Sequence, residues 1–119
     1  MRIEFVLLYP PTVNTYWRRR GSTYFVSKAG ERYRRAVALI VRQQRLKLSL
    51  SGRLAIKIIA EPPDKRRRDL DYILKAPLDA LTHAGLLMDD EQFDEINIVR
   101  AQPVEPPRKS WRLNSLRKR

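Results

Sequence analysis

The sequence predicts an α+β domain: a small, mostly antiparallel or mixed β-sheet with two main helices covering one face. Three observations carry that expectation. Short apolar runs with two-residue alternation occur near both ends and in the middle of the chain. Two longer stretches place apolar residues at helical spacing, and no internal repeat or low-complexity linker separates them. At 119 residues the chain has the length of one domain with one modest core.

The elements follow in order. Ile3, Phe5 and Leu7 alternate with Glu4 and Val6, a first strand that Pro10 and Pro11 end. A polar and aromatic loop, residues 12–20, holds Asn14, Tyr16, Trp17 and the consecutive Arg18, Arg19 and Arg20. Gly21 leads into Thr23, Tyr24, Phe25 and Val26, β-prone residues that suggest a hairpin-like surface excursion. Ser27 is a good N-cap for a basic amphipathic helix over about residues 28–46, with Ala29, Tyr33, Ala36, Val37, Ile40 and Val41 on its apolar stripe. Ser51 and Gly52 turn into a strand from Leu54 to Ala60, Lys57 facing out, which Pro62 and Pro63 end. Leu70, Ile73, Leu74, Leu78 and Leu81 outline a second helix closed by Gly85, and Pro77 should kink it or delay its start. Ile96 to Val99 reads as a third main strand, and residues 111–113 as a weaker last one. The expected division is a domain of residues 1–103 and a basic C-terminal extension, 104–119, with a mobile end.

Charge narrows the partner. Twenty-five Lys+Arg against 13 Asp+Glu leave +12, mostly from arginine, whose planar fork suits phosphate oxygens. Nucleic acid is the natural partner, although a ribosome or an anionic membrane surface would explain charge alone. No apolar run approaches the roughly 20 residues that span a bilayer, and the N-terminus is too short to read as a signal peptide, so a cytoplasmic protein without a membrane partner is expected. There is no cysteine and one histidine, His83. Disulfides and thiolate zinc sites are excluded, and most histidine-based hydrolytic schemes with them. Any metal site must be built chiefly from carboxylates, which suits Mg²⁺ or Mn²⁺.

The chemistry-bearing stretch runs from Asp64 to Lys75 and resumes at Asp89 and Asp90. Asp69 and Asp71 are two apart where extended chain feeds a helix, so both can point the same way. Lys75 is four beyond Asp71, on the same face of a continuous helix. Phosphodiester hydrolysis calls for carboxylates around a hard cation, a cation to offset developing charge, and arginines such as Arg66, Arg67 and Arg68 to hold the backbone. Simpler roles remain open on spacing alone: Asp69 or Asp71 as an N-cap, Asp71 with Lys75 as an ordinary ion pair, and residues 89–91 as a solvated turn. Convergence would decide between them. Two carboxylates 4 Å apart repel by about 4 kcal/mol at an effective dielectric near 20, a large cost against a total stability of about 5–15 kcal/mol.

The run Asp64, Lys65, Arg66, Arg67, Arg68, Asp69, Leu70, Asp71 resembles the signature of the RusA-type Holliday-junction resolvases. It is followed in the same order by Lys75, Leu78, Asp79, Ala80, Leu81, Thr82, Ala84, Gly85, Asp89 and Asp90. Pro10, Pro11, Asn14, Tyr16, Arg18, Val26 and Ser27 resemble that family as well, so the likeness covers residues 3–102. The resemblance implies a homodimeric endodeoxyribonuclease that binds four-way junctions and makes paired symmetric nicks with Mg²⁺, or Mn²⁺ in its place. It puts the catalytic and metal-holding acids on Asp69, Asp71 and Asp90, and the functional lysine on Lys75. Arg68 matches a basic position beside the first acid. It implies a RusA-like domain over residues 1–103 and a phage or prophage setting. Tyr72 stands where the family often has asparagine, and nothing family-like is recognisable from Val104 to Arg119. Asn14, Tyr16, Arg18, Arg19, Arg20, Arg66, Arg67 and Arg68 are the expected DNA contacts. The alternative is a non-catalytic basic nucleic-acid-binding protein, which explains the charge but not the three acids beside an arginine run.

Overall fold

The apolar alternation at the two ends of the chain becomes one ladder. In a computed structural model, which describes residues 2–63, 69–102 and 109–119, the elements run β1 (Arg2–Leu8), α1 (Val13–Tyr16), β2 (Trp17–Arg20), β3 (Thr23–Val26), α2 (Lys28–Gln43), β4 (Leu54–Glu61), α3 (Lys75–Ala84), β5 (Phe93–Arg100) and β6 (Ser110–Lys118). Single turns of 3-10 helix stand at Leu70–Ile73 and Asp90–Gln92. The main sheet has four strands in the order β1-β6-β4-β5. β6 is antiparallel to both its neighbours, whereas β4 and β5 are parallel. A parallel pair needs a crossover between its strands, and α3 is that crossover. The α+β expectation with a mixed sheet and two main helices matches this architecture.

The core lies between the sheet and the helices. Leu54, Ile56, Ile58 and Ala60 of β4 alternate inward, with Lys57 exposed between them, as the pleat requires. Tyr33, Val37 and Val41 of α2 and Ala76, Ala80 and Leu81 of α3 meet them. The Ser27 side chain caps α2 by accepting from the Gly30 N–H at 3.0 Å. A Cβ on Gly30 would fall 2.5 Å from Val26 Cγ1 and 2.8 Å from the Tyr16 carbonyl oxygen, so glycine lets α2 press against the base of the β2–β3 hairpin. No helix of the described residues is long and apolar enough to cross a membrane.

Pro77 acts as a delay rather than a kink. It is the third residue of α3, in the first turn, where its missing N–H is no loss. Its ring disfavours α geometry one turn earlier, and Leu70–Ile73 accordingly forms a 3-10 turn. Gly85 ends the helix in the left-handed conformation at φ 93°.

The C-terminus departs most from expectation. β6 has nine residues and is an interior strand, with Trp111 and Leu113 0% exposed and Leu116 1%. The division at residue 103 is therefore corrected: residues 110–118 complete the sheet, and Leu116 is core rather than mobile tail. Arg112, Arg117 and Lys118 made the segment look like a solvated tail. Two of these charges are answered within the sheet: Arg112 pairs with Glu61 of the adjacent β4 at 3.0 Å, and Arg117 with Glu95 of β5, one strand further on, at 3.4 Å.

Candidate active site

The loop expected over residues 12–20 is a helical turn followed by a hairpin. β2 and β3 pair antiparallel from Trp17 opposite Val26 to Arg20 opposite Thr23, with Gly21 in the turn at φ 61°. The hairpin is fixed at its base. The Tyr16 carbonyl accepts from the Ser27 N–H at 2.8 Å, and the Ser27 hydroxyl donates to the Thr15 carbonyl at 2.6 Å. The Tyr16 hydroxyl donates to Asp79 of α3, and Arg34 of α2 binds the same carboxylate at 2.7 Å and the Tyr16 oxygen at 2.8 Å. This triad joins hairpin, α2 and α3, and it corrects one assignment. Tyr16 is 0% exposed, so it anchors the hairpin instead of contacting DNA. Burial, then the bond to Asp79, pushes its phenol well above the usual range. Asn14, Arg18, Arg19 and Arg20 are all exposed. Arg66, Arg67 and Arg68 lie outside the described residues.

The carboxylates are sorted by their partners. Asp69 occupies the N-cap position of the 3-10 turn without a side-chain cap bond, so capping does not account for it. Asp71 is exposed on that turn, as are Lys75 and the intervening Tyr72. The break at Leu74 ends the continuous helix that would have paired Asp71 with Lys75, and Lys75 Nζ instead donates to Asp90 at 3.0 Å. Asp89 is a genuine cap: its side chain accepts from the Glu91 N–H at 3.1 Å within a capping box closed by Gln92. The Glu91 N–H and then a hydrogen bond with Asp90 hold its carboxyl below the ordinary aspartate value. A depressed value makes the cap's contribution present above about pH 4 and lost as pH falls through the lowered value. Arg53 takes two further acids beside the second turn, Glu91 at 3.0 Å and Asp94 at 2.7 Å. What remains for substrate chemistry is Asp69 and Asp71 on one turn, and Asp90 with Lys75 beside it on the other.

Elements, not loops, position these groups. The Leu70–Ile73 turn packs against α1, α3 and β5, and the Asp90–Gln92 turn packs against α3. Gln92 was not singled out from sequence, yet it holds the second turn. Its buried amide donates to the Leu50 and Gly52 carbonyls at 2.9 and 2.8 Å, and its oxygen accepts from the Met88 and Asp89 N–H groups at 2.9 and 2.8 Å. The spacing of Asp89 and Gln92 is a capping-box signal that could have revealed it. Gln92→Ala strips all four bonds and leaves buried backbone groups unpaired, so a loss of about 2–4 kcal/mol by chemical denaturation is expected. The pairing of Arg34 with Asp79 is likewise invisible in the sequence, because it joins separate helices.

The donor set suits a hard divalent cation: aspartates at the ends of short turns, with His83 distant at the C-terminal end of α3. Among the described residues, no three acidic or histidine side chains are gathered into one metal-sized cluster. The fit is therefore one of ligand type and of placement near the start of α3, with Lys75 standing against Asp90.

Comparison with known proteins identifies the family. The family model described as Endodeoxyribonuclease RusA matches residues 8–111. A crossover junction endodeoxyribonuclease of Enterobacteria phage HK97 is 52% identical over 113 residues, covering 95% of this chain and 94% of the relative. Its counterpart in Escherichia coli K12 is 40% identical over 97 residues, covering 82% and 81%. That of Enterobacteria phage 82 is 39% identical over the same length. With a match that spans both acidic turns and the strand between them and the C-terminus, the chain belongs to the RusA endodeoxyribonuclease family.

Proposed function

We propose that this protein is a homodimeric, divalent-metal-dependent endonuclease that resolves four-way DNA junctions by paired symmetric nicks. The observation that carries the reading is the meeting of Lys75 with Asp90 at 3.0 Å, beside a turn that leaves Asp69 and Asp71 exposed. Three acids and a lysine at the corresponding positions were the expectation from the family motif. Asp69, Asp71 and Asp90 would hold Mg²⁺, or Mn²⁺ in its place, which when bound supplies an activated water and charge to offset the phosphate. Lys75 is placed to meet charge developing on the phosphorus or leaving oxygens. Arg18, Arg19, Arg20 and Arg66, Arg67 and Arg68 bind backbone phosphates and orient the strand without reading its sequence. Two copies of such a site in a two-fold dimer suit the two nicks of a symmetric resolution. A DNA substrate is consistent with action in the cytoplasm, and relatives from phages HK97 and 82 support a phage or prophage setting.

One observation favours a second reading, a basic protein that binds branched DNA without cutting it: the acids are not gathered around a common point among the described residues. A labelled synthetic four-way junction separates the two. Symmetric nicking that requires Mg²⁺ or Mn²⁺ is expected. Tight junction binding with no cutting under either ion would leave the binding protein.

A further inference from the structure

The β2–β3 hairpin carries more aromatic surface than its own packing uses. A two-stranded ribbon is marginal by itself, and this one buries little beyond its base. Tyr24 is 64% exposed and Phe25 42%. An arginine lies over each ring: Arg19 at 5.6 Å from the Tyr24 centroid and Arg20 at 6.0 Å from that of Phe25. On the Tyr24 side the hairpin and α1 enclose a surface recess of about 350 Å³, lined by Val13, Asn14, Trp17, Arg18, Arg19 and Tyr24.

We propose that this recess receives one unstacked nucleobase of the substrate strand and supplies base selectivity. The proposal rests on the branched-DNA reading above and deepens it. The lining holds what such a ligand needs. Tyr24 and the half-buried Trp17 offer aromatic faces, which stack on any base. Trp17 is held edge-on against the buried Tyr16, with ring centroids 5.5 Å apart and planes at 78°. Asn14 is exposed and forms no side-chain hydrogen bond among the described residues, so its amide is available to a base edge as both donor and acceptor. Arg18 and Arg19 offer charge to the attached phosphate, and no acid lines the recess to repel it. The volume lies near the lower end of the roughly 300–1,000 Å³ of small-molecule sites, the scale of a single nucleotide rather than of a helix.

Placement ties the recess to the reaction. α1, which carries Val13 and Asn14, packs directly on the turn that bears Asp71. The Tyr16–Asp79–Arg34 triad fixes that arrangement, so a base held at Tyr24 fixes the register of the strand relative to the acids. In an unstacked four-way junction the base pairs at the crossover lack one stacking neighbour, which lowers the cost of opening them. Duplex binding would leave the Tyr24 ring without a stacking partner, whereas an extruded base covers it.

The test is a double-mutant cycle on equilibrium binding, with junctions carrying a single abasic residue at each position flanking the crossover. At one position, removing the base is expected to weaken wild-type binding by about tenfold. The same removal should cost Tyr24→Ala less than about twofold, well short of the roughly tenfold that independent effects would give, while Tyr24→Phe retains the wild-type response. Asn14→Ala should even out binding among the four bases at that position. Tyr24 is largely exposed, so an unchanged melting temperature checks that its variants are folded. If base removal and Tyr24→Ala multiply independently at every position, the recess takes no base and the proposal is overturned. That failure is distinct from failure of the resolvase reading, which would show as no metal-dependent cutting by the wild type.

Discussion

Asp71→Asn is expected to lower junction cleavage on the order of a thousandfold or more while leaving junction binding intact. The substitution keeps the size of the side chain and removes only its charge. Asp71 is exposed and makes no side-chain hydrogen bond among the described residues, so a small effect on folding is expected. Binding has nothing to lose, since one fewer negative charge stands near the DNA backbone. Single-turnover cleavage of a labelled junction measures the first part, and a mobility-shift titration the second. A variant that still cuts at near the wild-type rate would remove Asp71 from the reaction and shift attention to Asp69 and Asp90. A variant that loses cutting and binding together would instead indicate a role in holding DNA.

Truncation after Lys109 should abolish the folded state. The segment removed is β6, hydrogen-bonded to β1 on one edge and β4 on the other. It takes Trp111, Leu113 and Leu116 from the core, each at most 1% exposed. Three such side chains at about 1.5–3 kcal/mol each amount to roughly 5–9 kcal/mol, comparable with the whole stability of a small domain. The measurement is circular dichroism through a thermal melt, where loss of a cooperative transition is expected. Removing Lys118 and Arg119 alone should cost far less, because it takes only the end of the β4–β6 ladder and the surface ion pair of Arg119 with Glu95 at 3.2 Å. A cooperative transition surviving in the chain that ends at Lys109 would restore the view of the C-terminus as an appendage.

The two expectations differ in how they were reached. Asp69, Asp71, Asp90 and Lys75 are candidates that local spacing and family likeness single out, because carboxylates two apart and a lysine one turn on form a pattern within a short window. The partner of Lys75 was not legible. It follows from where α3 begins, which Pro77 influences, and from a second turn that Gln92 fastens to the carbonyls of Leu50 and Gly52. Tyr16 shows the same limit in the other direction. An aromatic residue in a polar loop reads as a contact for DNA, and only the approach of Arg34 and Asp79 turns it inward.

By itself the sequence determined the class of fold, the two main helices, their cap at Ser27 and stop at Gly85, and the basic, cysteine-free chemistry that points to phosphate and hard cations. These are properties of neighbouring residues: periodicity, capping and charge act over a few positions along the chain. The tertiary structure alone decided that β6 is an interior strand, that Asp90 rather than Asp71 meets Lys75, and that Tyr16 is an anchor. Each depends on groups far apart in sequence, and a strand's partners or a carboxylate's ion pair are chosen only when the chain closes on itself.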